Sequence, residues 1–308
     1  MIEKPGQNRS AIIITDSLNT SVASFDIGGF RLVLPGNSIV TKDTKIRINR
    51  TYRHAKLDVP LLDALKNAMH NADEPLSFML SGGIDSSVLY SIAMGEGIRC
   101  NAITVGTKTS EDFLYSATLI EKKGGELMRS ELTDDSIKYA LRTLRHTSLD
   151  VYSIILGIVE YAAMKHLKSF GYKTVVSGMG SDELFFGFAV HKRTDEKNLK
   201  ELRERRLSYV AATDIFRITS IGKLFGMKVC APYLSEEVVD YAMSLDLDEK
   251  GTYDKGQVRS LGRKLGIPEE IVNRRKNAMQ YSSGLLKRLH SLAEANKLDH
   301  ISDLIYSI

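Results

Sequence analysis

From residue 76 onward, apolar runs of strand length alternate with stretches whose apolar positions recur at helical spacing. Leu76 to Leu80 predicts a short buried strand, followed by a glycine turn and a helix from about Ser86 to Met94. The pattern continues as a strand over Ile98 to Val105, a helix over Glu111 to Lys123 and a strand over Glu126 to Leu132. Helical spacing resumes over Asp134 to His146 and Val151 to Phe170, and then Thr174 to Ser177 predicts a strand and Ser181 the start of a helix. Strands alternating with amphipathic helices imply βαβ units, a mostly parallel sheet and a doubly wound α/β fold. Beyond residue 197 the pattern is mainly helical, broken at Pro232 and Pro268, with one short strand, Val229 to Ala231, placed at the sheet edge.

Upstream, Pro60 opens a helix whose apolar face carries Leu61, Leu65, Ala68 and Met69. The first 55 residues are different: short β-rich pieces (Ala11 to Thr15, Phe30 to Leu34, Lys45 to Ile48) are separated by Gly28-Gly29 and Pro35-Gly36. They predict a small antiparallel element over residues 1–55, ahead of one large domain over residues 56–308.

Composition narrows the function. Lys and Arg exceed Asp and Glu by 42 − 38 = 4, too mild an excess to argue for nucleic acid. The segment from Lys192 to Arg206 is charge-dense but mixed in sign, which predicts a solvated helix face. Cys100 and Cys230 are the only cysteines, which excludes a disulfide framework and a cysteine-rich metal cluster. The N-terminus lacks the apolar stretch of a signal peptide, and apolar runs such as Ile154 to Val159 fall far short of the ~20 residues that span a bilayer. A cytoplasmic protein without a membrane partner is expected.

Candidate chemistry lies in two glycine turns. Ser81-Gly82-Gly83-Ile84-Asp85-Ser86-Ser87 follows the first predicted strand and opens a helix. A strand, a glycine turn and a helix start place backbone N–H groups around an anion, with the helix dipole behind them. Ser81, Ser86 and Ser87 add hydroxyl donors, and Asp85 beside a polyphosphate requires a cation, so Mg²⁺ is implied. The pattern is neither the Walker loop nor G-x-G-x-x-G. Downstream, Val175-Val176-Ser177-Gly178-Met179-Gly180-Ser181-Asp182-Glu183 repeats the design. Here Ser181 predicts an N-cap, with Asp182 and Glu183 in the first helical turn. Neighbouring parallel strands put both turns on one sheet edge, where Asp85 and Asp182 can share Mg²⁺.

Ser-Gly-Gly-x-Asp-Ser resembles the PP-loop of the ATP pyrophosphatase superfamily, with its adenine nucleotide α-hydrolase-like fold. The order SGGIDSS, VVSGMGSDELFFG, APYLSEEVVDYAMSL and KGQVRSLGRKLGIPEEIVNRRK resembles the synthetase domain of glutamine-dependent asparagine synthetases, from about Leu76 to Gly284. The family reads LSGGLDSS, LSGEGSDELFGGY, VPFLD and a late R-x-K; β-lactam synthetases share the domain. The resemblance implies ATP and Mg²⁺ as cofactors. It implies an ATP-dependent carbon–nitrogen ligase that adenylates a carboxylate, releases pyrophosphate, and transfers ammonia or an amine with AMP leaving. By resemblance, Ser81, Gly82, Gly83, Asp85, Ser86 and Ser87 hold the pyrophosphate portion of ATP. Leu80, Val105, Ser177 and Gly178 meet the rest of the nucleotide, and Asp85 and Asp182 are the Mg²⁺ ligands. Lys276, in Asn273-Arg274-Arg275-Lys276, matches the catalytic lysine, and Lys255 with Arg259 matches a K-x-x-x-R that faces the pyrophosphate. Met179 and Glu183 mark the substrate end of the second loop.

Departures from the family bear on nitrogen source and substrate. Ile2 stands where the glutaminase cysteine follows the initiator Met, and no cysteine precedes Cys100. The expectation is therefore free ammonia, an amine, or a separate glutaminase subunit as the nitrogen source; homo-oligomerisation stays open. The family's SGEG glutamate is Met179, whose thioether cannot bind an ammonium group, so aspartate as the substrate does not follow from the resemblance. Arg and Asp of the family's R-V-P-F-L-D are Cys230 and Ser235, and Ser235 can still cap the following helix. Two rivals stand beside the ligase: a nucleotide-binding subunit that regulates or completes a partner, and a PP-loop enzyme acting on RNA or a nucleobase. The second usually brings clustered cysteines, which are absent here.

Overall fold

A computed structural model describes residues 60–147, 149–245 and 254–307, together with the backbone course of four short strands near the N-terminus. Of these, β1 (Ser24–Ile27) pairs antiparallel with β2 (Phe30–Val33), and β3 (Ile39–Val40) with β4 (Lys45–Ile46). The antiparallel expectation thus holds for the pieces at Phe30 and Lys45, while Ala11 to Thr15 lies outside the described residues.

The main body begins at Pro60. Helix α1 (Leu61–His70) buries Leu61, Ala64, Leu65, Ala68 and Met69, the predicted apolar face. The alternating region then forms β5 (Leu76–Met79), α2 (Ile84–Gly95), β6 (Cys100–Gly106), α3 (Glu111–Lys123), β7 (Leu127–Glu131), α4 (Asp134–Leu144), α5 (Val151–Ser169), β8 (Thr174–Val176) and α6 (Ser181–Leu184). After it come α7 (Glu196–Val210), α8 (Phe216–Phe225), β9 (Lys228–Cys230), α9 (Glu236–Ser244), α10 (Gly256–Lys264), α11 (Glu269–Val272), α12 (Met279–Ser282), α13 (Leu285–Ala295) and α14 (Ile301–Ser307).

Strands β5 to β9 form one parallel sheet in the order β7-β6-β5-β8-β9. The chain winds outward from β5 through β6 to β7, then returns to the other side of β5 for β8 and β9. The direction of winding therefore reverses between β5 and β8, where Phe78 lies opposite Val176. A crevice opens at the carboxyl ends of the strands at such a reversal, and ligands bind there in open α/β sheets. The sheet is buried on both faces along β5, β6 and β8, which explains why their sequences read as continuous apolar runs rather than alternating ones.

Helix starts follow local chemistry. The side chains of Ser110, Thr133 and Asp150 accept hydrogen bonds from first-turn amides of α3, α4 and α5. Two capping expectations are corrected. Helix α6 is preceded by Gly180 in a left-handed conformation (φ 92°), and the Ser181 hydroxyl is used elsewhere. Ser235 precedes α9 in extended backbone but makes no side-chain capping bond. The charged segment is also only partly solvated: α7 buries Leu199, Leu202 and Arg203, and Arg203 Nη1 donates to the Ala242 carbonyl at 2.7 Å. Beyond α7 a π-helical turn, Ala211–Ile215, leads into α8. There Arg217 grips Glu160 of α5 through two buried bonds of 2.9 and 3.0 Å. Among the described residues no helix is long and apolar enough to cross a membrane.

Candidate active site

The first glycine turn leaves the carboxyl end of β5. Leu80, buried, donates its amide to the Ile103 carbonyl (2.8 Å), and its own carbonyl accepts from Thr104 Oγ1 (2.6 Å). These bonds fix the strand end while leaving that carbonyl a second lone pair. Gly82 then takes φ 65°, and a Cβ there would lie 2.3 Å from the Cβ of Tyr115, so conformation and space both require glycine. Gly83 precedes α2 in extended backbone, its amide donating to Ser81 Oγ at 3.3 Å. Ser86 Oγ donates to the Gly83 carbonyl at 3.3 Å, which ties the turn to the helix. Ser87 is buried and its hydroxyl has no partner among the described residues.

The second turn leaves β8 beside it. Ser177 donates its amide to the Cys230 carbonyl at 2.9 Å. A Cβ on Gly178 would stand 3.2 Å from the Asp85 Cβ, so the two turns meet in van der Waals contact. Ser181 Oγ, freed from capping, donates to Asp85 Oδ1 at 2.6 Å and joins the turns by a hydrogen bond.

Two acids and two lysines converge at this junction. Lys255 Nζ lies 2.5 Å from Asp85 Oδ2 and 2.8 Å from Asp182 Oδ1. Lys276 Nζ donates to the other oxygen, Asp182 Oδ2. Lys255 is delivered from the loop before α10 in a left-handed conformation (φ 61°), anchored by its amide to the Phe185 carbonyl at 2.8 Å. Its side chain is only 3% exposed, whereas that of Lys276 is 39% exposed and faces the open cleft. Burial pushes the Asp182 carboxyl up, but the two ammonium groups outweigh it and hold the group at about 2. Burial likewise pushes Lys255 down, and its two carboxylate partners more than reverse this, raising it above the ordinary lysine value.

Glu183 follows Asp182 on α6 and is buried, 8% exposed. Burial, then the Asp182 charge, raises its carboxyl to about 8 from 4.5. A carboxyl raised on folding binds more protons in the native than in the unfolded state between those two values, so its contribution to stability declines as pH rises from 4.5 to about 8. Glu183→Gln is expected to flatten that decline; urea midpoints at the two ends of the interval check it.

Gly187 ends the second motif, where its letter alone assigned it no role. A Cβ there would stand 2.0 Å from Asp182 Oδ1 and 2.4 Å from Lys255 Cε. Gly187→Ala is therefore expected to displace the cluster and to cost about 1–3 kcal/mol of stability by overpacking, without removing a functional group, as read by urea midpoints.

The cleft is lined by Ser81, Gly83, Asp85, Lys255, Arg259 and Lys276 among the expected residues. Leu80, Gly82, Ser86, Ser87, Asp182, Met179, Glu183, Val105, Ser177 and Gly178 do not line it: Val105 is buried at the end of β6, and Met179 is half-buried against the core. Asp112 and Arg274 do line it and were not anticipated. Asp112 sits in the first turn of α3, where an acid reads as a helix-dipole partner, and the R-x-K match assigned a role to Lys276 but none to Arg274.

A parallel sheet with an SGGIDSS loop at its switch point defines an α/β protein of the PP-loop, ATP-binding type. The asparagine synthase family profile matches residues 56–221 and 191–300, and the chain belongs to that family. It is 27% identical over 235 residues to asparagine synthetase (glutamine-hydrolyzing) 3 of Arabidopsis thaliana, covering 69% of this chain and 40% of that protein. Against the asparagine synthetase (glutamine-hydrolyzing) of Asparagus officinalis it is 25% identical over 314 residues, covering 90% of this chain and 52% of that protein. The chain thus spans about half the length of the curated relatives it matches. Among solved structures, NMN synthetase from Francisella tularensis is similar at a TM-score of 0.40 and 15% identity, covering 80% of this chain and 88% of that one.

Proposed function

We propose that this chain is an ATP-dependent amide ligase that activates a carboxylate as its adenylate. A substrate carboxylate oxygen attacks the α-phosphorus of ATP, the bond to the β-phosphate oxygen breaks, and pyrophosphate leaves. Ammonia or an amine then attacks the acyl carbon, gives up a proton, and the carbon–oxygen bond to AMP breaks. The observation that carries this reading is the cluster of Asp85, Asp182, Lys255 and Lys276 at the meeting point of the two switch-point turns. A carboxylate is a poor acyl donor, and the two steps need positioning and fixed charge rather than a covalent protein nucleophile.

In this reading Ser81, Gly82, Gly83, Ser86 and Ser87 cradle the pyrophosphate portion. Leu80, Val105, Ser177 and Gly178 meet the nucleoside side, and Met179 and Glu183 stand at the carboxylate substrate's end. Lys276 opposes the charge that develops on the α-phosphate and then on the tetrahedral carbon, and Lys255 faces the pyrophosphate. Asp85 and Asp182 would hold Mg²⁺. Their fit to a cation is supported by the ammonium group that already bridges them at 2.5 and 2.8 Å, and Mg²⁺ is commonly held by one or two carboxylates plus substrate phosphates. When bound, the ion supplies charge neutralisation on the phosphate oxygens. The nitrogen donor is ammonia, free or delivered by a separate glutaminase subunit, or an amine substrate. On this reading residues 56–308 are the synthetase domain and residues 1–55 a short β-rich N-terminal element.

The test is pyrophosphate release from Mg-ATP with ammonium and a panel of carboxylates including aspartate. Release that requires a carboxylate is expected. ATP binding with no turnover on any member would overturn the reading in favour of a nucleotide-binding subunit. Because a thioether stands where the family carries glutamate, Met179→Glu is expected to raise aspartate turnover relative to the parent chain. An unchanged rate would remove Met179 from the substrate site.

A further inference from the structure

We infer that Arg274 is a positioning residue that fastens the Lys276 segment to the phosphate loop; this rests on the catalytic role proposed for Lys276. Arg274 is nearly buried, its side chain 9% exposed. Nη1 donates to the Ser81 carbonyl at 2.8 Å, and Nη2 to Asp112 Oδ1 at 2.9 Å. The guanidinium lies over the Tyr115 ring, 4.1 Å from its centroid. One planar group therefore joins three elements: the turn after β5, helix α3 and the segment that ends in Lys276.

The anchor at the other end of the fork is itself held. Asp112 is 2% exposed, and its second oxygen accepts from Ser282 Oγ at 3.0 Å. Ser110 Oγ donates to the Ser282 carbonyl at 2.8 Å, and the Thr107 amide to the Ser283 carbonyl at 2.8 Å. Arg259 secures the approach by donating to the Val272 carbonyl. The 274–283 segment is thus pinned at both ends to the β6–α3 region, and Lys276 projects from between the pins onto Asp182. Removing the Arg274 fork frees one end, two residues from the reacting cation, and releases the Ser81 carbonyl, while the loop's own bonds from the Gly83 amide to Ser81 Oγ and from Ser86 Oγ to the Gly83 carbonyl remain. Lysine cannot substitute fully, because a single ammonium does not offer the rigid fork that reaches both Ser81 and Asp112.

The experiment compares R274A, R274K, D112N and K276A with the parent chain. Three quantities are read: kcat for pyrophosphate release with a carboxylate panel, Kd for Mg-α,β-methylene-ATP by calorimetry, and hydrogen exchange of amides 275–281. For R274A, kcat is expected to fall on the order of 10²-fold, with Kd changed by less than about threefold. Amides 275–281 should exchange faster while those of α2 and β6 keep their protection. Millimolar guanidinium ion should recover part of the lost rate, and R274K and D112N should fall between R274A and the parent. Parent-like kcat in R274A, or parent-like exchange over 275–281, would overturn the inference. Should R274A fail to fold, R274K and D112N carry the same test, and the exchange measurement decides it without turnover. If K276A keeps its rate, the catalytic role of Lys276 fails; if K276A is inactive and R274A is not impaired, the positioning role alone fails.

Discussion

Lys276→Ala is expected to lose on the order of 10²–10³ in kcat for pyrophosphate release while the fold stays intact. Lys276 is the more exposed of the two lysines, 39% against 3% for Lys255, and among the described residues it makes one ion pair, with Asp182. An ammonium group at the rim of a cleft can reorient toward a phosphate or a tetrahedral carbon as charge develops there. A buried one bridging two carboxylates cannot move without leaving both unpaired. The loss is therefore expected in turnover and hardly at all in melting temperature, because partly exposed ion pairs contribute little to stability. Equal losses in both would mean that Lys276 supports the loop rather than the reaction.

Asp182→Asn is expected to cost both activity and stability. The substitution takes one of two carboxylates from Lys255, which is 3% exposed, and from Lys276 the one acid it pairs with among the described residues. Breaking a buried pair while one charge remains costs about 3 kcal/mol, less here because Asp85 still holds Lys255. Turnover should fall further than in Lys276→Ala, since the phosphate-facing cation site is lost as well. The acid response gives an independent check. The Asp182 carboxyl lies at about 2 in the folded chain against 3.8 when free. Its contribution to stability is therefore complete above 3.8 and is lost as pH falls through about 2. Asp182→Asn should remove that part of the acid limb in thermal melts taken down to the lower value.

The parallel sheet was legible because each strand is buried on both faces and each helix carries one apolar stripe; Leu76–Met79 and Glu111–Lys123 sit where the pattern placed them. Strand order was not legible in the spacing. The reversal between β5 and β8 depends on how the chain packs between Glu131 and Thr174, and it is what brings Asp85 to Ser181. Capping was the weakest inference. Ser181 has the right chemistry for an N-cap, but the half-buried Asp85 carboxylate 2.6 Å away takes the hydroxyl instead. At the site, SGGIDSS marked the phosphate loop by its glycines and hydroxyls. Asp112 carried no local signal, and Gly187 and Arg274 lay inside the matched motifs with no role assigned, because what singles all three out is a neighbour more than 60 residues away or a Cβ that would not fit.

The most direct test of the account follows oxygen from a carboxylate. Each member of the panel, aspartate included, is labelled with ¹⁸O in its carboxyl group and turned over with Mg-ATP and ammonium, and the products are read by ³¹P NMR. Adenylation transfers a carboxylate oxygen to the α-phosphorus, so AMP carrying one ¹⁸O, together with unlabelled pyrophosphate, is the predicted result. Label in inorganic phosphate accompanied by ADP would show attack at the γ-phosphorus and contradict the account. So would carboxylate-dependent turnover that leaves AMP unlabelled.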